Sequence, residues 1–244
     1  MKRKKHNEAP ASSAGETRSM LWPLSSLSLS MLLSSLGTSV ANVALPTIAQ
    51  YFSASFQTAQ WVVIAYLLVI IMLVVSVGRL GDVMGHRHVL LIGICLFVVA
   101  SMLCATAPTL WMLIGARAIQ GVGAAILMTL TVALVRNTVS KERIGSAMGL
   151  LGTMSAIGTA LGPSLGGLLI AGAGWRSIFL IMIPLGILNL ILVYKFLPHQ
   201  GQKEKTNQNG FDRLGTLLLG LTLAAYALAV TVGGGTFDRT NVAL

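Results

Sequence analysis

The stretch Leu110-Trp-Met-Leu-Ile-Gly-Ala-Arg117-Ala-Ile-Gln120-Gly121-Val-Gly123-Ala-Ala125-Ile-Leu-Met-Thr-Leu-Thr-Val-Ala-Leu-Val135 decides the fold. It is longer than the about 20 apolar residues that carry a helix across a bilayer. Arg117 lies well inside it. A charge at hydrocarbon depth costs at least about 2.5–3.5 kcal/mol on insertion scales, so it needs a partner or a polar cavity. At helical spacing Arg117, Gln120, Gly121 and Ala125 share one face. That face reads as a polar, close-packed wall toward a cavity, and the opposite side as lipid-facing.

The rest of the chain repeats the apolar half of this pattern. Its 244 residues are 55% hydrophobic and 10% charged, with a mean hydropathy of +0.80, the composition of a polytopic all-α membrane protein. Seven spans are expected, near 20–45, 58–78, 88–106, 110–135, 145–171, 177–197 and 214–233. The net charge of +10 does not indicate nucleic acid. The basic residues sit in short segments between apolar runs, not on one amphipathic surface.

With the N-terminus inside, fourteen of the seventeen Lys and Arg fall on the cytoplasmic side. Only Arg176 and Arg239 fall outside, and Arg117 is the remaining one. This asymmetry orients the chain by the positive-inside rule. Residues 1–19 read as a disordered basic cytoplasmic tail, 20–197 as a six-helix bundle and 198–213 as a cytoplasmic linker. A seventh helix over 214–233 and an extracytoplasmic end over 234–244, expected to be truncated, complete the map. The apolar stretch after the basic tail is too long for the core of a signal peptide. Cys95 and Cys104 fall in one helix about 13 Å apart, beyond disulfide reach. No metal-ligand cluster or hydrolytic triad is present in the sequence, so an enzyme is not expected.

Three further stretches carry function. In the first span Ser35, Thr38, Ser39 and Asn42 share one face, fitting either helix packing through small polar residues or a cavity wall. Pro46 is expected to close that helix. The turn after the second span contains Gly78, Asp82, Gly85 and Arg87. Here Gly78 suits a close approach of helices, Asp82 a cap or an ion pair with Arg87, and Gly85 a positive φ. In the fifth span Gly158, Gly162 and Gly166 recur every four residues, beside Gly149, Pro163 and Gly167. Such a run suits backbone-to-backbone packing in a helix that bends or slides against a neighbour.

These spacings resemble the signatures of the major facilitator superfamily. Gly78-x-Leu80-x-Asp82-x-x-Gly85-x-Arg87 is similar to its cytoplasmic loop after helix 2, and Arg117-x-x-Gln120-Gly121-x-Gly123 to its helix 4 motif. Gly149-x8-Gly158-x3-Gly162-Pro163-x2-Gly166-Gly167 resembles its helix 5 antiporter motif. Asn42-Val-Ala-Leu-Pro46, Gln60-Trp61 with Tyr66, Trp175-Arg176 with Phe179, and Phe211-Asp212-x-x-Gly215 resemble the fourteen-helix drug–proton antiporter branch.

The resemblance implies the amino-terminal half of a multidrug exporter in the cell membrane, working by alternating access. The proton gradient is its energy source, and no cofactor is implied. Arg117, Gln120, Asn42 and Thr38 would line the substrate and proton pathway. Gly78, Asp82, Gly85 and Arg87 would form the cytoplasmic gate. Gly158, Gly162, Pro163, Gly166 and Gly167 would be the flexing contact between halves. The implied partners are a small lipophilic or cationic substrate, the lipid bilayer, and a second half or another copy. The alternative is a non-transporting remnant, or a half-transporter needing a partner chain. The sequence departs from the family where helix 1 often carries an acid, here Gly37. It departs again in the loop, where Val83 and His86 replace basic residues.

Overall fold

A computed structural model describes residues 12–197 together with residues 222 and 225. Apart from those last two, both helical, the expected linker, seventh helix and extracytoplasmic end lie outside the described residues. So do residues 1–11 of the expected tail.

The described chain is helical, with no strand. Helices α1 (Ser12–Tyr51), α2 (Phe56–Met84), α3 (His86–Thr106) and α4 (Leu110–Thr138) are followed by a 3-10 turn at Lys141–Arg143. Then come α5 (Ile144–Ala173), the short α6 (Ser177–Leu180) and α7 (Met182–Phe196). The last two form one span broken at Ile181, so six spans are long and apolar enough to cross a membrane. The protein is an all-α, multi-pass membrane protein.

Local chemistry sets the boundaries. The Ser55 side chain caps α2 by accepting from the Thr58 N–H at 3.1 Å, and Thr109 caps α4 by accepting from the Met112 N–H at 3.3 Å. Gly85 separates α2 from α3 at φ 89°, a region that L side chains rarely adopt.

Three expectations are corrected. Residues 12–19, expected in a disordered tail, are the first turns of α1, because lengthening an existing helix avoids the nucleation step. Pro46 does not close α1; the helix runs five residues past it, as spanning helices tolerate proline. The segment after Gly78 is not a loop: Arg79–Met84 continue α2, and Gly85 alone makes the turn.

Packing runs across two triplets of spans: α1 lies against α5, α2 and α3 against α4, and α7 against α3 and α1. Lipid is as apolar as leucine, so close packing must replace the hydrophobic drive between helices. The glycines of the helix 4 motif supply it on two sides. A Cβ on Gly121 would stand 2.7 Å from the Tyr66 carbonyl oxygen of α2, and one on Gly123 2.8 Å from the Phe97 nitrogen of α3. At the far end Tyr51, Phe52, Trp175 and Phe179 form an aromatic cluster. Arg176 stacks there on Tyr51 and Trp175 and donates to the Ala107 carbonyl at 3.2 Å.

Candidate substrate and proton pathway

Arg117 is 0% exposed, the largest fully buried side chain among the described residues. Its Nε donates to the Val62 carbonyl of α2 at 3.1 Å, and one terminal nitrogen donates to Gln120 Oε1 at 2.6 Å. Its guanidinium lies 4.0 Å from the centre of the Tyr66 ring and 5.9 Å from that of Phe179. Gln120 passes the chain to α3: its Nε2 donates to Ser101 Oγ at 2.8 Å, and Ser101 donates to the Phe97 carbonyl at 2.7 Å. The other terminal nitrogen of Arg117 has no hydrogen-bond partner among the described residues.

The charge is therefore held by neutral groups: a carbonyl, an amide and the face of a phenol. Cation–π contact with a desolvated aromatic is worth about 2 kcal/mol or more, which offsets part of the burial penalty. This corrects one expectation. Arg117 and Gln120 do not line an open crevice; both are sealed inside the bundle. The physical reason is Gly121, which brings α2 close enough for Tyr66 to cover the guanidinium.

Thr38 and Asn42 stand apart from this core. Thr38 is half-buried and Asn42 exposed. Asn42 Nδ2 donates to the Thr38 carbonyl at 3.3 Å, and Thr38 Oγ1 to the Ser34 carbonyl at 3.2 Å. Tyr66 donates its hydroxyl to that same Ser34 carbonyl at 2.9 Å. One carbonyl thus joins the open polar face of α1 to the ring that covers Arg117. Sequence reasoning missed this node, because a backbone carbonyl freed for a second donor leaves no residue signature. It also missed Ser101, one polar residue in an apolar span. A Cβ on Gly37 would meet the Tyr66 hydroxyl at 3.2 Å, so the family's acidic position faces the same node.

Of the four hydroxyl and amide residues of α1, two serve helix packing. Ser35 Oγ and Ser155 Oγ share a hydrogen bond at 2.7 Å, and Ser39 donates to the Thr159 carbonyl at 2.6 Å. These two join α1 to α5. Thr38 and Asn42 face away.

The gate residues are not assembled as expected. Gly78 would meet only ordinary contact, at 3.7 Å from Thr129; the tight position is Gly81, whose Cβ would stand 2.6 Å from Leu130. Asp82 pairs with His86 at 3.3 Å, four residues on and across the Gly85 turn, and not with Arg87, the ion pair that was one of its two expected uses. Arg87 donates to the Tyr194 carbonyl at 2.7 Å and lies over the Tyr194 ring, tying α3 to α7.

The helix 5 motif also divides. Gly158, Gly162 and Gly166 are buried against Leu32, Ser35, Ser39 and Val40 of α1, so this stripe serves packing within the bundle. That corrects their expected place between halves. Pro163 and Gly167 are exposed, on another face.

A family model described as Major Facilitator Superfamily matches residues 27–237. Riboflavin transporter RibZ of Clostridioides difficile (strain 630) is 36% identical over 208 residues, covering 85% of this chain and 45% of that protein. The protein of Escherichia coli O81 (strain ED1a) named "Putative multidrug resistance protein MdtD" is 35% identical over 215 residues, covering 88% of this chain and 45% of its own. The chain spans about half the length of the curated relatives it matches. In fold it is similar to a peptide transporter, POT, crystallised with sulfate. That match has a TM-score of 0.67 at 15% identity, over 90% of this chain and 48% of that one.

Proposed function

The chain belongs to the Major Facilitator Superfamily, and from that premise we propose that it supplies one half of a proton-coupled exporter of lipophilic, often cationic compounds. We place it in the cell membrane with its N-terminus cytoplasmic, on the distribution of Lys and Arg. A second bundle, from another chain or another copy, completes the transport path at the interface between halves. No cofactor enters the reading; the proton gradient drives the cycle.

One observation carries this reading: the polar face of α1 and a small-residue face of α5 open on the same side. Thr38 and Asn42 lie on α1 about a quarter turn from its seam with α5. Gly149, Gly152, Ala156, Pro163 and Gly167 lie on α5 about a third of a turn from the same seam, by 100° per residue. All five are exposed. Helices α1 and α5 are odd-numbered spans and run the same way, and these faces turn from the seam in opposite senses. They therefore form one continuous surface, polar beside small, suited to a wet path and a sliding partner. In this reading Arg117 sits behind the path and acts on it through Tyr66 and Ser34. Arginine stays charged, so the cycling proton is carried elsewhere, and Arg117 biases its site.

The test is transport of several cationic dyes in vesicles, with and without a pH gradient. This chain alone is compared with the chain co-expressed with the second half of a full-length relative. Gradient-driven efflux only when both halves are present supports the proposal. The Arg117→Ala variant should insert normally and lose export; unchanged export removes Arg117 from the mechanism. The likeness to a riboflavin transporter favours a second reading, transport of a flavin-like vitamin. Riboflavin uptake by the same vesicles, without dye efflux, would select it.

A further inference from the structure

The partners of Arg117 are neutral, so its charge is held but not cancelled. The Val62 carbonyl, Gln120 Oε1 and the Tyr66 ring surround it, and one terminal nitrogen has no partner among the described residues. Among the residues whose side chains are described, the carboxylates are Asp82 and Glu142. Along α2, Asp82 lies about 24 Å beyond Tyr66 at 1.5 Å per residue. Helix α4 puts about 31 Å between Arg117 and its own far end, and Glu142 comes after that end. At those separations a charge of opposite sign contributes little. Arg176, which stacks on Tyr51 at the nearer end of the bundle, carries the same sign as Arg117.

This charge lies one ring behind the open face of α1. Tyr66 covers the guanidinium at 4.0 Å, and its hydroxyl donates to the Ser34 carbonyl at 2.9 Å. Thr38 Oγ1 donates to the same carbonyl at 3.2 Å, and Asn42, bonded to the Thr38 carbonyl, is exposed. Tyr66 is fully buried, so the first part of the way from Arg117 to the wall runs through protein and not through water. Across a separation on the order of 10 Å, at an effective dielectric constant of about 20, a unit charge changes the affinity for another by roughly fifteenfold. Salt lowers that toward about fivefold. The wall itself offers only neutral groups, a hydroxyl and an amide, which donate and accept.

We propose that Arg117 sets the polarity of this wall and thereby the part of a compound that it receives. Thr38 and Asn42 take a neutral or anionic hydrogen-bonding group, such as a carbonyl or hydroxyl, and a cationic group is turned toward the second half. Arg117 is then a specificity-determining residue that acts at a distance, without touching the compound. This rests on the reading of the α1 face as a wall of the transport path; the positive potential at that face does not.

The potential is tested by cysteine chemistry on the full chain in detergent, with no ligand. Asn42→Cys is made in a Cys95→Ala background, with the buried Cys104 left in place and the Cys95→Ala chain as blank. Its rates with an anionic and a cationic methanethiosulfonate are compared with those of free 2-mercaptoethanol. The anion should gain at least about fivefold over that reference. Arg117→Met should abolish the gain, Arg117→Lys should keep it, and 1 M salt should shrink it where the charge is present. Thr38→Cys repeats the measurement from the same wall, and the salt series stands if Arg117→Met does not fold. No gain at either position, or a gain that survives Arg117→Met, overturns the proposal. The compound is tested in the chain co-assembled with the second half of a full-length relative. The probe is a lipophilic dye with a carbonyl at one end and a quaternary ammonium at the other, photoactivatable at either end. Carbonyl-end adducts at residues 38–42 and ammonium-end adducts on the second half are expected, and ammonium-end adducts at residues 38–42 equally overturn it. Adducts from neither end on either half would sink the exporter reading, and the assignment of this wall to a compound with it, while leaving the cysteine ratio as measured.

Discussion

Helices α4 and α5 are nearly the same length, 29 and 30 residues, yet the bundle treats them oppositely. Of the most apolar stretch of each, 61% is buried for α4 and 17% for α5. Hydropathy does not account for this. The most apolar of the described spans, α2 at 2.8, is only 22% buried, while α4 stands at 2.0. In water the greasiest helix goes inside. Within the described bundle, what separates α4 from α5 is which helix needs this chain's own spans around it. Helix α4 does, because Arg117 and Gln120 have no place in lipid, and its glycines let neighbours close on two sides. Helix α5 is closed on one side only.

The largest effect that would break this contrast is at Gly121. The position touches backbone of α2, which cannot move aside as a flexible side chain can. Gly121→Leu should destabilise by more than about 3 kcal/mol, the upper range for overpacking, and uncover Tyr66 and Arg117. Loss of monodisperse protein in detergent is the expected result. A fully folded variant would mean that close approach is not what buries α4.

Much of this architecture is legible in the order of residues. The six described spans, the seclusion of Arg117 from lipid and the packing use of the fifth-span glycines all follow from length, one charge and a four-residue repeat. What stays hidden has a common cause. A period tells which residues share a face but not which neighbour covers it. Gly158 and Gly167 look alike in sequence, and one meets Leu32 while the other meets nothing within 4 Å. Likewise the sequence points Arg117 toward a crevice, because the cover, Tyr66, comes from a helix far off in the chain. The turn at Gly85 is readable from its own residue, since a single-residue turn is a local demand.

Second in size is Arg117→Met. Replacing a whole buried ion pair by apolar residues of similar volume is often neutral or stabilising by about 1–4 kcal/mol, and the loss comes when one charge is removed and its partner is stranded. Here the charge lacks a carboxylate partner, and one of its nitrogens is unpartnered among the described residues. Thermal unfolding of the variant should therefore match or exceed that of wild type, while gradient-driven export is lost. Marked destabilisation would show that the guanidinium holds the bundle together and would weaken its assignment to transport.

A third test sharpens the contrast from the open side. Gly152 lies on the exposed small face of α5, with nothing within 4 Å of an added Cβ. Gly152→Leu should leave the stability of this chain within about 0.5 kcal/mol, as for ordinary surface positions. Association with a second half should nonetheless fall. Equal association would leave the small face without a partner.

The smallest effect tests the seam that joins the two helices. Ser39 donates to the Thr159 carbonyl at 2.6 Å, a bond between helices at hydrocarbon depth. Intuition assigns it a large value, because the alternative is an unsatisfied hydroxyl in lipid. The expectation is different. The neighbouring α1 serines show that such a hydroxyl finds its own helix carbonyl three or four residues back, so Ser39 has a substitute within reach in the separated helices. Measured interhelical bonds of this kind average about 0.6 kcal/mol. Ser39→Ala should cost about that much in detergent unfolding, well below the effect of a leucine at Gly158. If it costs as much as Gly158→Leu, the seam is held by hydrogen bonds. Small residues would then be its consequence and not its cause.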